Sequence, residues 1–211
     1  RHMLTVHHLN NSRSQRIIWL LEELGVDYQI KSYQRDPITS LAPPELEAVH
    51  PLGKSPVLSD GDVTVIESGA IIDYLLRHYG GGQLLPSTGS NDHEQYLQWL
   101  HYGESGAVLP LMLKLYTSKL PDGGEALKPR ISDELTRHLG YIEQSLEGVS
   151  WFVGDTFSGA DIQLSFIAEI APMMYSADKL PNLMAFRDRC HGRPAYQRCI
   201  AKTDFYAYGP K

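Results

Sequence analysis

The sequence is poor in cysteine, in long apolar runs and in net charge, and each shortage argues against a class of protein. Its two cysteines, Cys190 and Cys199, form no Cys-x-x-Cys pair and have no second cluster with which to bind zinc. We expect buried free thiols in a reducing compartment, with a disulfide as the less favoured alternative. No apolar run approaches the ~20 residues of a membrane span, and no signal peptide follows Met3. The net charge of −6 argues against nucleic acid and anionic membranes, so we expect a cytoplasmic protein that binds neither.

The remaining composition is typical of a globular chain. Of 211 residues, 42% are hydrophobic and 21% charged, and the length suits one large domain or two small ones. A chain of this length can bury its core without disulfides or metals. Arg1 and His2, which precede Met3, are interpreted as remnants of cloning and are left out of the fold prediction.

The first 80 residues alternate between strand and helix patterns. Residues 4–9 are short and partly β-branched, which is typical of a strand. Apolar residues recur at helical spacing over 14–24, and Gly25 ends that run. Residues 26–31 alternate apolar and polar side chains, which predicts a second strand. A strand, a helix and a strand at this spacing predict a parallel βαβ unit.

A hairpin and a helix are predicted to complete this domain. Residues 56–59 and 62–66 are both strand-like, and Asp60-Gly61 between them is a strong hairpin turn. The helical pattern returns from Glu67 to Tyr79. The order predicts an α/β thioredoxin-like domain over 3–80, with a mixed four-stranded sheet and helices.

The second part of the chain is predicted to be an all-α helical bundle. Residues 81–91 are rich in Gly, Pro and Ser and are predicted to be a linker. Within a helical domain over 92–211, Pro110 is expected to kink the first helix. The predicted helices cover residues 92–119, 125–147, 159–175, 182–191 and 194–202.

Four short motifs, in order and at the right spacing, resemble the glutathione transferase superfamily along nearly the whole chain. They are Ser12-Arg13-Ser14-Gln15-Arg16, Pro51-Leu52-Gly53-Lys54-Ser55-Pro56, Glu67-Ser68-Gly69-Ala70-Ile71 and Ser158-Gly159-Ala160-Asp161. The pattern is most similar to serine-type bacterial and fungal members. The tyrosine of the mammalian cytosolic classes and the cysteine of the omega and beta types are missing at the equivalent place.

The resemblance implies a glutathione-binding site in the first domain. It implies a cis Ser55–Pro56 bond that turns the Ser55 backbone toward the cysteinyl part of glutathione, which binds like an added strand. Free N–H groups at the start of the helix predicted from Glu67 to Tyr79 suit the γ-glutamyl carboxylate, and a nearby acid suits its ammonium group. The residues that it assigns to glutathione binding are Lys54, Ser55, Pro56, Glu67, Ser68 and Glu104, the last beside a dimer two-fold axis.

Each of these residues also has a purely structural interpretation. Pro56 can be a plain turn proline, and Lys54 a solvated surface charge. Glu67 and Ser68 can be a dipole-matching acid and a helix cap.

The resemblance places thiol activation at the start of the first helix. A thiol with a pKa of ~8.5 needs about 2.7 kcal/mol of anion stabilisation for its pKa to fall by about 2 units. Ser12 can donate its hydroxyl proton to the sulfur, while Asn11 and Arg13 add an amide donor and a positive charge. Which of the three stabilises the thiolate stays open. The alternative for Ser12 is a capping box with Gln15.

A pocket for an apolar electrophile is expected between the sheet domain and the kinked helix. Its predicted lining is Leu9, Tyr102, Leu109, Leu113, Tyr116 and Tyr175. Such a stripe is more often core than pocket. Ser158 and Asp161 form a second capping box, which we interpret as a folding signal only.

The function predicted from the resemblance is a glutathione transferase that makes the thiolate of glutathione attack soft hydrophobic electrophiles. Glutathione is expected as co-substrate, with no tightly bound cofactor and no metal, in a cytoplasmic homodimer. Two alternatives remain: a non-catalytic interaction module, and a glutathione-dependent peroxidase, lyase or isomerase on the same fold.

Overall fold

The computed structural model describes residues 3–211 as two compact units. One unit contains the residues up to Leu85 together with His191–Lys211, and the other is Pro86–Cys190. Arg1 and His2, the interpreted cloning remnant, lie outside the described residues. The last helix therefore belongs to the same unit as the sheet, whereas the sequence grouped it with the helical domain over 92–211.

The described residues form four strands and eight α-helices. In chain order they are β1 (Leu4–Leu9), α1 (Ser14–Leu24), β2 (Tyr28–Tyr33), β3 (Val57–Asp60), β4 (Val63–Ile66), α2 (Ser68–Tyr79), α3 (Asn91–Ser105), α4 (Val108–Thr117), α5 (Lys128–Ser145), α6 (Gly159–Met174), α7 (Pro181–His191) and α8 (Pro194–Lys202). Short 3-10 turns add Pro44–Leu46, Glu125–Leu127 and Ala177–Lys179.

The sheet confirms the predicted mixed, four-stranded, thioredoxin-like arrangement. Its order is β2-β1-β3-β4, with β1 parallel to β2 and antiparallel to β3. Asp60 pairs with Val63 in the hairpin, so the two turn residues are Gly61 and Asp62, one position later than predicted. Gly61 takes the turn conformation with φ +58°, which a residue without a side chain adopts at no steric cost.

α1 packs between the sheet and α8 within the first unit. Ile17, Leu20 and Leu21 are completely buried, as their helical spacing predicts. Gly25 ends the helix in the left-handed conformation, with its N–H bonded to the Leu21 carbonyl. Trp19 meets the ring of Tyr196 on α8 edge-on at 5.2 Å. This packing holds α1 in place, and the predicted catalytic residues Asn11, Ser12 and Arg13 lie directly before its first residue.

The prediction of one helix over 92–119 with a kink at Pro110 is wrong. The helix breaks at Gly106, whose N–H bonds to the Tyr102 carbonyl at the end of α3. A Cβ on Gly106 would lie 2.6 Å from the Tyr102 ring, so this close turn requires glycine. Pro110 is the third residue of α4. A first-turn position needs no N–H donor, so the proline fits without bending the helix.

The predicted capping box at the start of α6 is confirmed. Ser158 Oγ accepts from the Ala160 N–H at 3.2 Å, and Asp161 Oδ2 accepts from the Ser158 N–H at 2.8 Å. The other Asp161 oxygen accepts from the Phe152 N–H at 3.0 Å. Burial raises the pKa of Asp161 to about 7, although these backbone hydrogen bonds favour its ionised form. The box therefore fixes both the start of α6 and the loop that precedes it.

None of the helices that the structure describes combines the length and the apolar character that crossing a membrane would require.

Candidate functional site

Ser12 lies in the loop between β1 and α1, two residues before the helix begins. Its Oγ accepts from the Ser14 N–H at 3.2 Å and lies 2.7 Å from Ser14 Oγ. The residue is buried, with 6% of its surface exposed. Either hydroxyl of the Ser12–Ser14 pair can be the donor, so the direction of that hydrogen bond decides whether the Ser12 proton is available to a ligand.

The capping box predicted for Ser12 and Gln15 is wrong. The N-cap residue of α1 is Arg13, and no side chain caps this helix. The Gln15 amide instead donates to Thr203 Oγ1 at 2.9 Å and to Cys199 Sγ at 3.4 Å. Gln15 therefore links α1 to the C-terminal segment, although Ser12 Oγ still accepts from the N–H of the first residue of α1.

Ser14 joins Ser12 to a buried histidine that the sequence did not single out. Ser14 Oγ lies 2.8 Å from Nδ1 of His8 and accepts from the Leu9 N–H at 3.2 Å. Burial lowers the pKa of His8 to about 4, although the Asp204 carboxylate acts in the opposite direction. His8 is therefore neutral at physiological pH, with one ring N–H to place on either nitrogen.

The loop that carries Asn11 and Ser12 is held from two sides. Asn11 adopts φ +50° and accepts from the Ala207 N–H at 2.8 Å through its side-chain oxygen. The Arg35 side chain donates to the carbonyls of Asn10 and Asn11 at 3.0 and 3.3 Å. The hydrogen bonds of Asn11 and Arg35 thus hold this loop, and with it Ser12, in place.

Ser55 lies beside the same loop, and the Ser55–Pro56 peptide bond is cis, as the resemblance implies. Ser55 Oγ donates to the His7 carbonyl at 2.7 Å and accepts from the Leu9 N–H at 3.2 Å. The Ser55 backbone forms no backbone hydrogen bond within residues 3–211, so an extended ligand can pair with it. Lys54 is exposed next to it.

Leu9 is a core residue. Its side chain is buried in one cluster with Tyr33 and Leu46. This packing favours the core alternative over the predicted role of Leu9 as a wall of the electrophile pocket.

The start of α2 combines a strained acidic residue with a buried arginine. Glu67 is exposed and holds φ +67°, a conformation that costs a non-glycine residue about 1–3 kcal/mol. Ser68 is buried, and its Oγ accepts from an Arg16 Nη at 2.8 Å. Arg16 is buried as well, so a positive charge stands behind the free N–H groups of the helix start. These groups are suited to a carboxylate, with an acidic side chain next to it.

Sequence reasoning missed Arg16. The signal that could have found it is an arginine among the apolar residues of α1. An arginine that becomes buried when the helix packs needs a polar or charged partner.

In the helical unit, Tyr102 is part of an aromatic cluster. Its ring contacts Trp99 and Tyr141 edge-on at 5.5 and 5.7 Å, and its hydroxyl lies 2.6 Å from Nδ1 of His138. Burial raises the pKa of Tyr102 to about 12. Glu104 lies one residue before the end of α3 and is half-buried.

The other predicted pocket residues of this unit divide between two places. Leu109, Leu113 and Tyr116 lie at helical spacing on α4 and are 56%, 37% and 62% exposed; we call them the α4 stripe. Tyr175 instead lines a cavity of about 520 Å³ beside Lys114 and Lys128.

No group of three or more His, Cys, Asp or Glu side chains in residues 3–211 is placed to hold a metal ion.

The first unit is thus a thioredoxin-like domain with a serine, in place of a redox cysteine pair, near a cis-proline loop, and with a buried arginine bonded to the first residue of α2. Two family profiles match the chain: glutathione S-transferase, N-terminal domain, over residues 2–77, and glutathione S-transferase, C-terminal domain, over residues 106–194. A curated relative, glutathione S-transferase 3 of Schizosaccharomyces pombe, is 32% identical over 96% of this chain and 88% of its own. The chain belongs to the glutathione S-transferase family.

Solved structures agree with this assignment. A glutathione S-transferase from Actinobacillus pleuropneumoniae is 35% identical, with a TM-score of 0.88 over 97% of this chain and 94% of its own. A sphingomonad glutathione S-transferase complexed with glutathione has the same fold, with a TM-score of 0.78 at 23% identity over 93% of this chain and 97% of its own. The family predicted from the sequence is confirmed.

Proposed function

We propose that the protein is a glutathione transferase that binds glutathione in the sheet unit and activates its thiol through Ser12. The observation on which this proposal rests is that one unit contains three features: the Ser12 loop, the Ser55 backbone beside the cis proline, and the start of α2. The named relatives are glutathione S-transferases, and one solved neighbour is complexed with glutathione.

The two ends of glutathione suit the two sides of this site. The γ-glutamyl carboxylate would meet the N–H groups of α2 and the Ser68 hydroxyl, with the Arg16 charge behind them. The exposed Glu67 would pair with the ammonium group. The cysteinyl backbone would pair with the N–H and C=O of Ser55, and Lys54 would contact the glycine carboxylate.

Thiol activation would come from donors and not from a base. Ser12 donates its hydroxyl proton to the thiolate, while Arg13 and the Asn11 amide supply further positive potential. A hydrogen bond to a charged group contributes about 1.5–3 kcal/mol, which corresponds to a pKa decrease of about 1–2 units. The thiol proton leaves to solvent, and the thiolate attacks carbon to form a carbon–sulfur bond. An aryl halide then loses halide, whereas an epoxide opens its carbon–oxygen bond and an enone shifts its π electrons to oxygen, the resulting anion taking a proton from water.

The α4 stripe is the surface of the helical unit that we propose for contact with a hydrophobic electrophile. Exposed leucine and tyrosine side chains accept apolar and aromatic groups with little directional demand. Tyr102 and Tyr175 remain proposed neighbours of that surface, and Glu104 a proposed contact of the glutathione ammonium group.

We further propose a cytoplasmic homodimer that needs no tightly bound cofactor. Cys190 and Cys199 are both buried thiols that form no disulfide, which suits a reducing compartment.

The test combines ligand titration with an electrophile panel. Calorimetry is expected to detect glutathione binding, and conjugates are expected with aryl halides, epoxides or enones. Ser12→Ala is expected to raise the pKa of the bound thiol by about 1–2 units with nearly unchanged glutathione affinity. Failure to bind glutathione at millimolar concentration would refute the proposal. Binding without conjugation of any electrophile would favour the interaction-module alternative.

A further inference from the structure

Ser12 can stabilise a thiolate only if its one hydroxyl proton points at the sulfur. A serine oxygen has one proton to give and two lone pairs with which to accept. The Ser14 N–H occupies one lone pair at 3.2 Å. The remaining partner, Ser14 Oγ at 2.7 Å, either donates to Ser12 or takes its proton.

The same count decides what Ser14 does. Its oxygen accepts from the Leu9 N–H at 3.2 Å, and its one proton has three acceptors in reach: the Leu9 carbonyl at 3.3 Å and two shorter contacts. The shorter contacts are Ser12 Oγ at 2.7 Å and His8 Nδ1 at 2.8 Å. Ser14 can satisfy both of these shorter contacts only if one donates to it and the other accepts its proton, so the state of His8 Nδ1 sets the direction of the chain.

Resting on the proposed role of Ser12, we propose that Ser14 and His8 are positioning residues that turn the Ser12 proton toward the glutathione sulfur. His8 carries its ring proton on Nδ1 and donates to Ser14, and Ser14 donates to Ser12. Both lone pairs of Ser12 are then occupied, and its proton is left for the thiolate. In the opposite direction Ser12 would give its proton to Ser14 and have none for the sulfur.

Burial supports this assignment of roles. Ser14 is completely buried and is shielded from a ligand, whereas Ser12 retains 6% exposure. Burial also keeps His8 neutral, with a pKa of about 4, against the opposing field of Asp204. A neutral ring holds one proton, and the proposed direction of the chain requires that proton on Nδ1.

Variants of the chain test this arrangement through the pKa of enzyme-bound glutathione, followed by the ultraviolet absorbance of the thiolate. Ser14→Ala removes one oxygen, and His8→Leu removes the ring donor. Each is expected to raise the thiol pKa by about 0.5–1 unit, with glutathione affinity changed less than about twofold. His8→Asn, whose amide can place an N–H near the Nδ1 position, is expected to retain most of the effect.

A matched control comes from the adjacent residue of β1. His7 is also buried, but its ring bonds to Tyr33 and Ser59, away from Ser12. His7→Leu is expected to leave the thiol pKa unchanged. A double-mutant cycle adds a second check, because Ser14→Ala should have no further effect in the Ser12→Ala background.

The outcomes separate this inference from the proposed function. If Ser12→Ala raises the thiol pKa while Ser14→Ala and His8→Leu match the wild type, the positioning role is overturned and the transferase mechanism stands. If the wild type holds no bound thiolate, the proposed function itself fails. Nitrogen-15 spectra of the unmodified protein decide the matter if a variant does not fold, since a proton on Nε2 of His8 would overturn the inference and one on Nδ1 would support it.

Discussion

Removing the Ser68 hydroxyl tests whether the start of α2 holds the glutathione carboxylate. Ser68 Oγ accepts from Arg16 at 2.8 Å, so its own proton remains for a ligand. Ser68→Ala removes that proton and also removes an acceptor from a buried guanidinium.

The loss of the ligand hydrogen bond changes glutathione affinity, whereas the loss of the Arg16 acceptor changes protein stability. A hydrogen bond to a charged group is worth about 1.5–3 kcal/mol, so the glutathione dissociation constant should rise by at least about tenfold. The guanidinium released by the substitution can turn toward the carboxylate, which keeps the effect near this lower end. Without ligand, the buried donor that lost its acceptor should cost about 1–3 kcal/mol of unfolding free energy.

Calorimetric titration and urea denaturation measure the two effects separately, and Ser59→Ala is the matched control. Ser59 Oγ bonds to His7 Nε2 at 3.0 Å in the same sheet but belongs to no part of the proposed site. The control should lose some stability with unchanged affinity. A dissociation constant for Ser68→Ala within twofold of the wild type would show that the carboxylate binds elsewhere.

Three further substitutions probe the fold. Asp161→Asn should destabilise the protein by about 1–3 kcal/mol, because an amide cannot accept at both backbone contacts; chemical denaturation measures this. Gly106→Ala should cost about 1–2 kcal/mol in the same assay, since its Cβ would lie 2.6 Å from the Tyr102 ring. Burial opposes ionisation of Glu22, but hydrogen bonds, first among them that from Lys202, lower its pKa below its ordinary value of 4.5. The stability that Glu22 contributes is therefore present at neutral pH and lost as pH falls below about 4.5. Lys202→Met should reduce that loss, and an unchanged acid dependence of the urea midpoint would contradict this origin.

Local sequence patterns predicted most of the secondary-structure elements. The strand β1 and the helices α1 and α8 begin and end where the sequence predicts, because apolar spacing and the flanking Gly25 and Pro194 define them locally. The capping box at Ser158 is equally local, with its partner three residues away.

Predictions that depended on a distant partner fared differently. Gln15 has the spacing of a capping box, yet its amide bonds to Thr203, 188 residues away. A pattern over four residues contains no information about that partner. Arg16 and Ser68 are 52 residues apart for the same reason, and their contact exists only because α1 and α2 pack on the sheet.

Proline showed how position within a helix decides its effect. A proline kinks a helix only if the helix continues on both sides of it. The sequence alone did not show that a new helix begins at Val108, two residues before Pro110. Gly106 marked the true break, because the Tyr102 ring occupies the space where its side chain would be.

The geometry around Ser12 also distinguishes two ways of activating a thiol. A general base must accept a proton near neutral pH and therefore needs a pKa close to that value. His8 is the imidazole connected to Ser12 through Ser14. Its pKa is about 4 because it is buried, so at neutral pH it is a poor base, and its neutral ring keeps one N–H that can donate. In the arrangement proposed for His8, Ser14 and Ser12, the thiol would lose its proton to water and the Ser12 hydroxyl would stabilise the resulting anion. The buried, neutral histidine would then serve as a fixed hydrogen-bond donor and not as a general base.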